Sequence, residues 1–336
     1  MIETRVLSIS PSKPDPESIA AAAIVLRSGG LVAFPTETVY GLGADVLNLD
    51  AVRKVYEAKG RPSDNPLIVH VARNTELDQI VDEMPEVGRR LAGAFWPGPL
   101  TLVVKKTILI SDLVSADLDT VAVRMPMNIV ALALIEALGE AMVGPSANLS
   151  GRPSPTNAQH VYDDLRGKVD LILDSGPTEI GLESTVIDVT LDPPTIYRLG
   201  GLDRERIEKL IGEVRVATSG EGSHRSPGTR HRHYAPRARV ILVTHGDADD
   251  FARHVQLLRQ QGKKVGSITN SRQLATLETG SLARVLPSAI AIFAQHLYRT
   301  MRELDSFGLD VMVVEGVPEE GLGAAVMDRL RRAAQV

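Results

Sequence analysis

The chain has 336 residues, 43% of them hydrophobic and 24% charged, with a formal net charge of -5; this is the balance of an ordinary globular protein with enough apolar material for a core. Thirty-seven basic residues against 42 acidic ones argue against coating of nucleic acid by bulk electrostatics, so any polyanion has to be met locally. The absence of cysteine excludes disulfides, a thiolate nucleophile and Cys-ligated zinc or iron–sulfur centres.

At this length two domains are expected, of roughly 210 and 100 residues. The charged, proline-rich start has no apolar export segment, and no stretch approaches the ~20 apolar residues that span a bilayer. A cytoplasmic protein without membrane attachment is the expectation.

A helix of alanine and branched aliphatics runs from Glu17 to Arg27 and is stopped by Ser28-Gly29-Gly30. Leu31 to Phe34 is an apolar run of strand length, followed directly by Pro35-Thr36-Glu37-Thr38-Val39-Tyr40-Gly41-Leu42-Gly43. Strand-to-loop junctions are where α/β proteins put their chemistry. Here Thr36, Thr38 and Tyr40 offer hydroxyls, and Gly41 and Gly43 let backbone approach a ligand. A helix capped by Asp50 runs to Ala58 and puts Lys59 at its C-terminal end, where the dipole favours a cation with or without a ligand. Lys59-Gly60-Arg61-Pro62 supplies a second cation one flexible residue later.

Leu67 to Val71 is a β-branched strand interrupted by His70, which suits a structural histidine as well as a ligand-binding one. Phe95-Trp96-Pro97-Gly98-Pro99 reads as a stiff packing turn before the strand Leu100–Val104. Val121–Arg124 ends in a cation at the same strand-to-loop position as Thr36, open to either a surface or a binding role. Gly144-Pro145-Ser146-Ala147-Asn148 begins like a nucleophile elbow, but Asn148 stands where glycine is required and no Asp/His partners are apparent, so a serine hydrolase is rejected. This loop, with Ser154 and Thr156, is dense in neutral hydrogen-bonding groups suited to carboxylate, hydroxyl and phosphate oxygens.

Short strands at Leu171–Asp174, Thr185–Val189 and Thr195–Tyr197 follow, with Glu183-Ser184 opening the second and Arg198 closing the third. A helix from Asp203 to Ile211 ends the first domain, an open mixed sheet with helices. Residues 217–239 carry Arg225, Arg230, Arg232, Arg237 and Arg239 against one acid, Glu221. They read as a tether, or as a cationic lid over a polyphosphate ending in His233-Tyr234-Ala235-Pro236. His231-Arg232-His233 lacks a nearby third metal ligand. From Val240 onward, repeated strand–helix units predict a small parallel, Rossmann-like layer. In it Ile290, Phe293, Leu297, Met301 and Leu304 keep helical spacing as core residues. Gly321-Leu322-Gly323 lacks the third glycine of a dinucleotide fingerprint and no Gly-x4-Gly-Lys-Ser/Thr occurs, which excludes nucleotide binding by either standard motif.

Five motifs in order, Phe34–Leu42, Lys59–Pro62 with Asn65-Pro66-Leu67, Pro145–Asn148, Glu183–Thr185 and Ser226-Pro227-Gly228 with His233–Pro236, resemble the threonylcarbamoyl-AMP synthase family in its long form. Thr229-Arg230-His231 departs from the family pattern in the linker. The resemblance covers nearly the whole chain. It implies a YrdC-like catalytic domain over residues 1–212, an open twisted mixed sheet with helices. A linker or lid over 213–238 and a smaller Rossmann-like parallel α/β domain over 239–336 complete the chain. It implies condensation of L-threonine, bicarbonate or CO2 and ATP to threonylcarbamoyl-AMP and pyrophosphate. The product would pass to a tRNA threonylcarbamoyl transferase complex that modifies an adenosine beside the anticodon.

By the same resemblance Thr36, His70, Arg124, Ser146 and Ser184 hold threonine, while Lys59, Ser63, Asn148, Thr156, Arg198 and Tyr234 hold ATP. Lys59 and Arg61 act on the phosphates. Mg2+ is expected to be bound mainly through ATP phosphates rather than by protein ligands. A monomer without stable nucleic-acid binding is expected. Rival readings are a noncatalytic RNA-binding module and a domain that makes carbamoyl-AMP from carbamoyl phosphate.

Overall fold

A computed structural model describes residues 2–218, 234–270 and 282–334. The chain divides into two compact units, the second including Gly151–Ser154 and Ile180–Leu182 beside the C-terminal residues. Most of the expected linker, including its serine, proline and histidine motifs up to His233, lies outside the described residues.

The first unit is built on one mixed sheet. Its strands are β1 (Arg5–Ser8), β2 (Val32–Phe34), β3 (Gly41–Asp45), β4 (Ile68–His70), β5 (Val81–Glu83) and β6 (Leu100–Lys106). After these come β7 (Thr120–Arg124), β8 (Met142–Val143), β9 (Leu171–Asp174), β10 (Thr185–Asp188), β11 (Thr195–Arg198) and β12 (Arg215–Val216). The order is β1-β9-β2-β3-β8-β4-β7-β6-β10-β11-β12, with β5 paired to β6. β4 and β7 run parallel, as do β6 and β10, whereas β6 and β7 are antiparallel. The expected mixed α/β sheet is borne out.

Alternation along these strands sorts residues onto two faces. Val69, Leu102, Val123 and Ile187 join the main core with Val52 and Val55 of the helix Leu49–Lys59 and Leu91 of the helix Glu86–Phe95. On the opposite face of β4, β6, β7 and β10 lies a small apolar cluster, Ile68, Val103, Ala122 and Val186. His70 and Arg124 follow Ile68 and Ala122 by two residues, and Thr101 precedes Val103 by two, so these polar side chains share the less apolar face. A second core packs Phe34, Val32 and Leu171 against the helices Pro16–Arg27 and Ile129–Leu138.

Helix starts follow side-chain caps. Asp15 accepts from Ser18 N at 2.8 Å before the helix Pro16–Arg27. The helix leading to Lys59 spans Leu49–Lys59 and is capped by Asn48, which accepts from Ala51 N at 3.1 Å, not by the expected Asp50. Asp50 sits inside the first turn and pairs with Arg53 instead. Gly60 ends the helix at φ 58°, the left-handed region that glycine enters without a Cβ penalty.

The second unit holds a parallel sheet of β13 (Arg239–Val243), β14 (Val265–Thr269), β15 (Ala283–Val285) and β16 (Val311–Glu315) in the order β13-β16-β14-β15. This is the expected small parallel layer. Phe293, Leu297, Met301 and Leu304 are buried along the helix Ile290–Ser306, while Ile290 is half-buried. The Glu315 carboxylate, buried at the end of the central strand, accepts from Asn270 N at 3.1 Å, Gly246 N at 3.3 Å and the Thr269 hydroxyl. It ties together three strand ends.

Candidate active site

The loop between β2 and β3 is organised by its own hydroxyls. Thr36 Oγ1 donates to Val39 O at 2.6 Å and accepts from the Thr38 and Val39 amides at 3.2 Å each. With its one proton used, Thr36 accepts from Thr38 Oγ1 at 2.8 Å, and Thr38 Oγ1 in turn accepts from Arg124 Nη1 at 2.8 Å. The Tyr40 hydroxyl donates to Gly176 O at 2.7 Å. Burial, then the nearby Asp174 carboxylate, push its phenol up beyond the ordinary range, so it stays a donor. Gly41 makes room for the protein's own core, since a Cβ there would lie 2.6 Å from the Phe34 ring. The sequence reading of this stretch as hydroxyls and glycines turned to a ligand is therefore corrected for Tyr40 and Gly41, which serve packing.

Arg124 ends β7 directly beside His70, its register partner on β4. Its Nε donates to Gly98 O at 3.1 Å, and Nη2 lies 2.6 Å from Glu37 Oε1 in an ion pair buried on both sides. The turn around Trp96 thus does more than pack. Gly98 N bonds Met125 O at 2.8 Å while its carbonyl fixes the guanidinium.

His70 is fully buried, meets Phe34 edge to face with ring centroids 5.6 Å apart, and has no hydrogen-bond partner at Nδ1. Burial first, and the Arg124 charge second, hold its pKa well below 6.5. Gly144 leaves it space, for a Cβ there would come 2.6 Å from Nδ1.

A depressed histidine pKa makes the unfolded chain the better proton binder below pH 6.5. The stability it contributes is complete above that value and falls as pH drops. Urea unfolding at pH 7.5 and 5.5 is expected to show wild type losing about 1.4 kcal/mol more than His70→Asn over this step. Equal losses would mean that His70 takes up its proton in the folded state.

Lys59 Nζ donates to Asn148 O at 2.8 Å and to Ser146 O, while Ser150 N bonds back to Lys59 O at 2.8 Å. The end of the helix Leu49–Lys59 and the Ser146–Ser150 loop therefore latch each other. The same loop is joined to β3 by Ala147 N to Tyr40 O at 2.8 Å and by a bridge between Gly41 and Ser146. Arg61 Nη2 donates to Asn65 Oδ1 at 2.6 Å and Pro66 O at 2.7 Å, shaping the loop on which Ser63 is exposed. Asn148 Nδ2 donates to Leu149 O at 2.8 Å. Thr156 N donates to His160 Nδ1 at 3.2 Å.

Farther across the sheet, Ser184 Oγ meets Thr101 Oγ1 at 2.7 Å, and Arg198 donates to Ser184 O and Oγ at 3.1 Å each. Val186 pairs with Thr101 on one side and Arg198 on the other, so Ser184 and Arg198 are set by one register. Tyr234 belongs to the second unit. There its ring stacks on Tyr298 with centroids 5.8 Å apart, and the Arg329 guanidinium lies 4.8 Å from its centre.

A family model described as "Telomere recombination" matches residues 24–200, and one described as "Threonylcarbamoyl-AMP synthase, C-terminal domain" matches residues 202–335. A protein of Pyrococcus abyssi named threonylcarbamoyl-AMP synthase is 47% identical over 94% of this chain and 94% of its own. The chain belongs to the threonylcarbamoyl-AMP synthase family. The family member of that name from Bacillus subtilis is 43% identical over 96% of this chain and 94% of its own. The crystal structure of P. abyssi Sua5 complexed with L-threonine superposes with a TM-score of 0.92 at 44% identity, covering 99% of this chain and 97% of that one.

The family resemblance drawn from the five motifs is thus borne out. Beyond the residues assigned from those motifs, the threonylcarbamoyl-AMP synthase fold brings in Glu37, Gly98 and Thr101, which touch Arg124 or Ser184 directly. Glu37 lay inside a recognised motif without an assigned part. Gly98 acts through a backbone carbonyl, and Thr101 through a hydroxyl that only the strand register brings to Ser184, so the sequence marks neither.

Proposed function

We propose that this chain condenses L-threonine, CO2 supplied as bicarbonate, and ATP into threonylcarbamoyl-AMP and pyrophosphate. The product then supplies the threonylcarbamoyl group for an adenosine beside the anticodon of certain tRNAs. The observation that carries this reading is 47% identity along 94% of both chains to a protein named for that activity. Relatives of that name along almost the whole chain speak for the synthase over the RNA-binding and carbamoyl-AMP readings.

In this reading threonine's amine adds to CO2, and an oxygen of the resulting carbamate attacks the α-phosphorus as pyrophosphate leaves. Thr36, His70, Arg124, Ser146 and Ser184 form the threonine site, with the Arg124 guanidinium suited to a carboxylate. Lys59, Ser63, Asn148, Thr156 and Arg198 form the ATP site. Lys59, Arg61 and Arg198 offset the negative charge crowded around the transferring phosphorus, usually the largest catalytic contribution in such chemistry. Positioning supplies the rest, since a free amine adds to CO2 without a general base.

Among the described residues no three His, Cys, Asp or Glu side chains converge as a metal cage. Mg2+ is assigned to the ATP phosphates, a common mode for this ion, where it would neutralise charge. No described helix is long and apolar enough to cross a membrane. The proposed setting is the cytoplasm, with the chain acting as a monomer that passes its product to a tRNA threonylcarbamoyl transferase complex.

The test is pyrophosphate release from ATP by the purified chain, with threonine and bicarbonate each present or omitted and serine as control. Release that requires both substrates and prefers threonine is expected. A folded protein that releases none in any combination would overturn the reading.

A further inference from the structure

Glu37 and Arg124 are 1% and 4% exposed, and they neutralise each other across 2.6 Å. A guanidinium has five N–H donors and a carboxylate only acceptors. Arg124 spends Nε on Gly98 O, one Nη1 hydrogen on Thr38 Oγ1 and its Nη2 ion pair on Glu37 Oε1. With Nε spent on Gly98 O, a second carboxylate can meet this arginine in two bonds only across Nη1 and Nη2. Glu37 already holds Nη2 of that pair. Glu37 Oε2 is buried with no hydrogen-bond partner. The site therefore contains a buried ion pair in which the anion competes with any incoming carboxylate.

We propose that an α-amino acid binds by inserting between Glu37 and Arg124, its carboxylate taking the guanidinium and its ammonium taking the Glu37 carboxylate. The idea rests on the threonine reading above and deepens it. Charge decides the matter. A zwitterion supplies one anion for Arg124 and one cation for Glu37, so the buried charges stay paired throughout. A simple carboxylic acid would strand Glu37, and a simple amine would strand Arg124; each leaves an unpaired charge in a dry site. The pair thus selects for amino acids over the corresponding hydroxy acids. A neutral His70 on the neighbouring strand adds no competing cation.

The experiment is calorimetric binding to the full chain without ATP, so that adenylation plays no part. The probes are L-threonine, 2,3-dihydroxybutanoate, in which a hydroxyl replaces the ammonium, and L-threonine methyl ester, which lacks the carboxylate. Wild type is expected to bind each analogue about 10- to 100-fold more weakly than threonine, the loss of one charged hydrogen-bonded contact. Glu37→Gln is expected to lose a similar factor for threonine while binding the dihydroxy acid as well as wild type does or better. A dihydroxy acid that binds wild type as tightly as threonine would overturn the proposal whatever the variant does. Glu37→Gln weakened equally for both ligands would also overturn it, leaving Glu37 only as a brace for Arg124. Wild type that binds no threonine would remove the threonine reading itself, an outcome distinct from the other two.

Discussion

Lys59→Met is expected to lower the rate of pyrophosphate release about 10²- to 10³-fold, the usual cost of removing one preorganised stabiliser of developing charge. Methionine keeps the length and apolar stem of the side chain, so the packing of the helix Leu49–Lys59 is preserved and the missing element is the ammonium. That ammonium has two separable tasks. It latches the Ser146 and Asn148 carbonyls, and in the proposed reaction it faces phosphate. Losing the latch leaves two carbonyls short of a donor, at about 1–3 kcal/mol if both stay dry. Single-turnover release of pyrophosphate, set beside urea unfolding, separates the two. A rate within threefold of wild type would make Lys59 a latch alone, however much stability falls.

The sequence exposed this site unevenly, for physical reasons. Residue type and spacing marked Lys59, because a cation closing a helix just before a left-handed Gly60 has a local cause visible in the letters. Their β-branched neighbours placed Arg124 at the end of a strand and His70 within one, whereas the structure ends β4 at His70. What pairs with them was not visible. Thr101 reaches Ser184 because β6 and β10 run parallel with Val186 opposite Thr101, a register set by tertiary packing across 83 residues. Local propensity carries no trace of such a pairing.

Glycines misled in the other direction. Gly41 looked like a gap left for a ligand, but the atom it avoids is in the Phe34 ring, a collision that depends on β2 and β3 pairing. Strand β3 was itself missed, since a Gly-Leu-Gly-Ala-Asp run has weak β-propensity and forms a strand here through neighbours on both sides. Large-scale order was easier. The alternation of strand and helix in both halves reflects hydrophobic periodicity, which the letters do carry.

Arg124→Gln is the substitution expected to cost the most stability, about 3–5 kcal/mol, because it leaves Glu37 as an uncompensated buried charge. Glu37→Gln should cost less. Arg124 keeps Gly98 O and Thr38 Oγ1 as acceptors, and the new amide still offers an oxygen. The double substitution replaces an ion pair by two neutral amides of similar size, a change that is often close to neutral once neither charge is stranded. Urea unfolding of the four proteins closes a double-mutant cycle. The double variant is expected to be more stable than Arg124→Gln alone, since removing the second charge relieves the first defect. Strict additivity of the two single losses would mean that Glu37 and Arg124 do not act as a pair in the folded chain. The zwitterion exchange would then lose its physical basis, because it needs two charges that hold each other until a substrate carrying both signs replaces them.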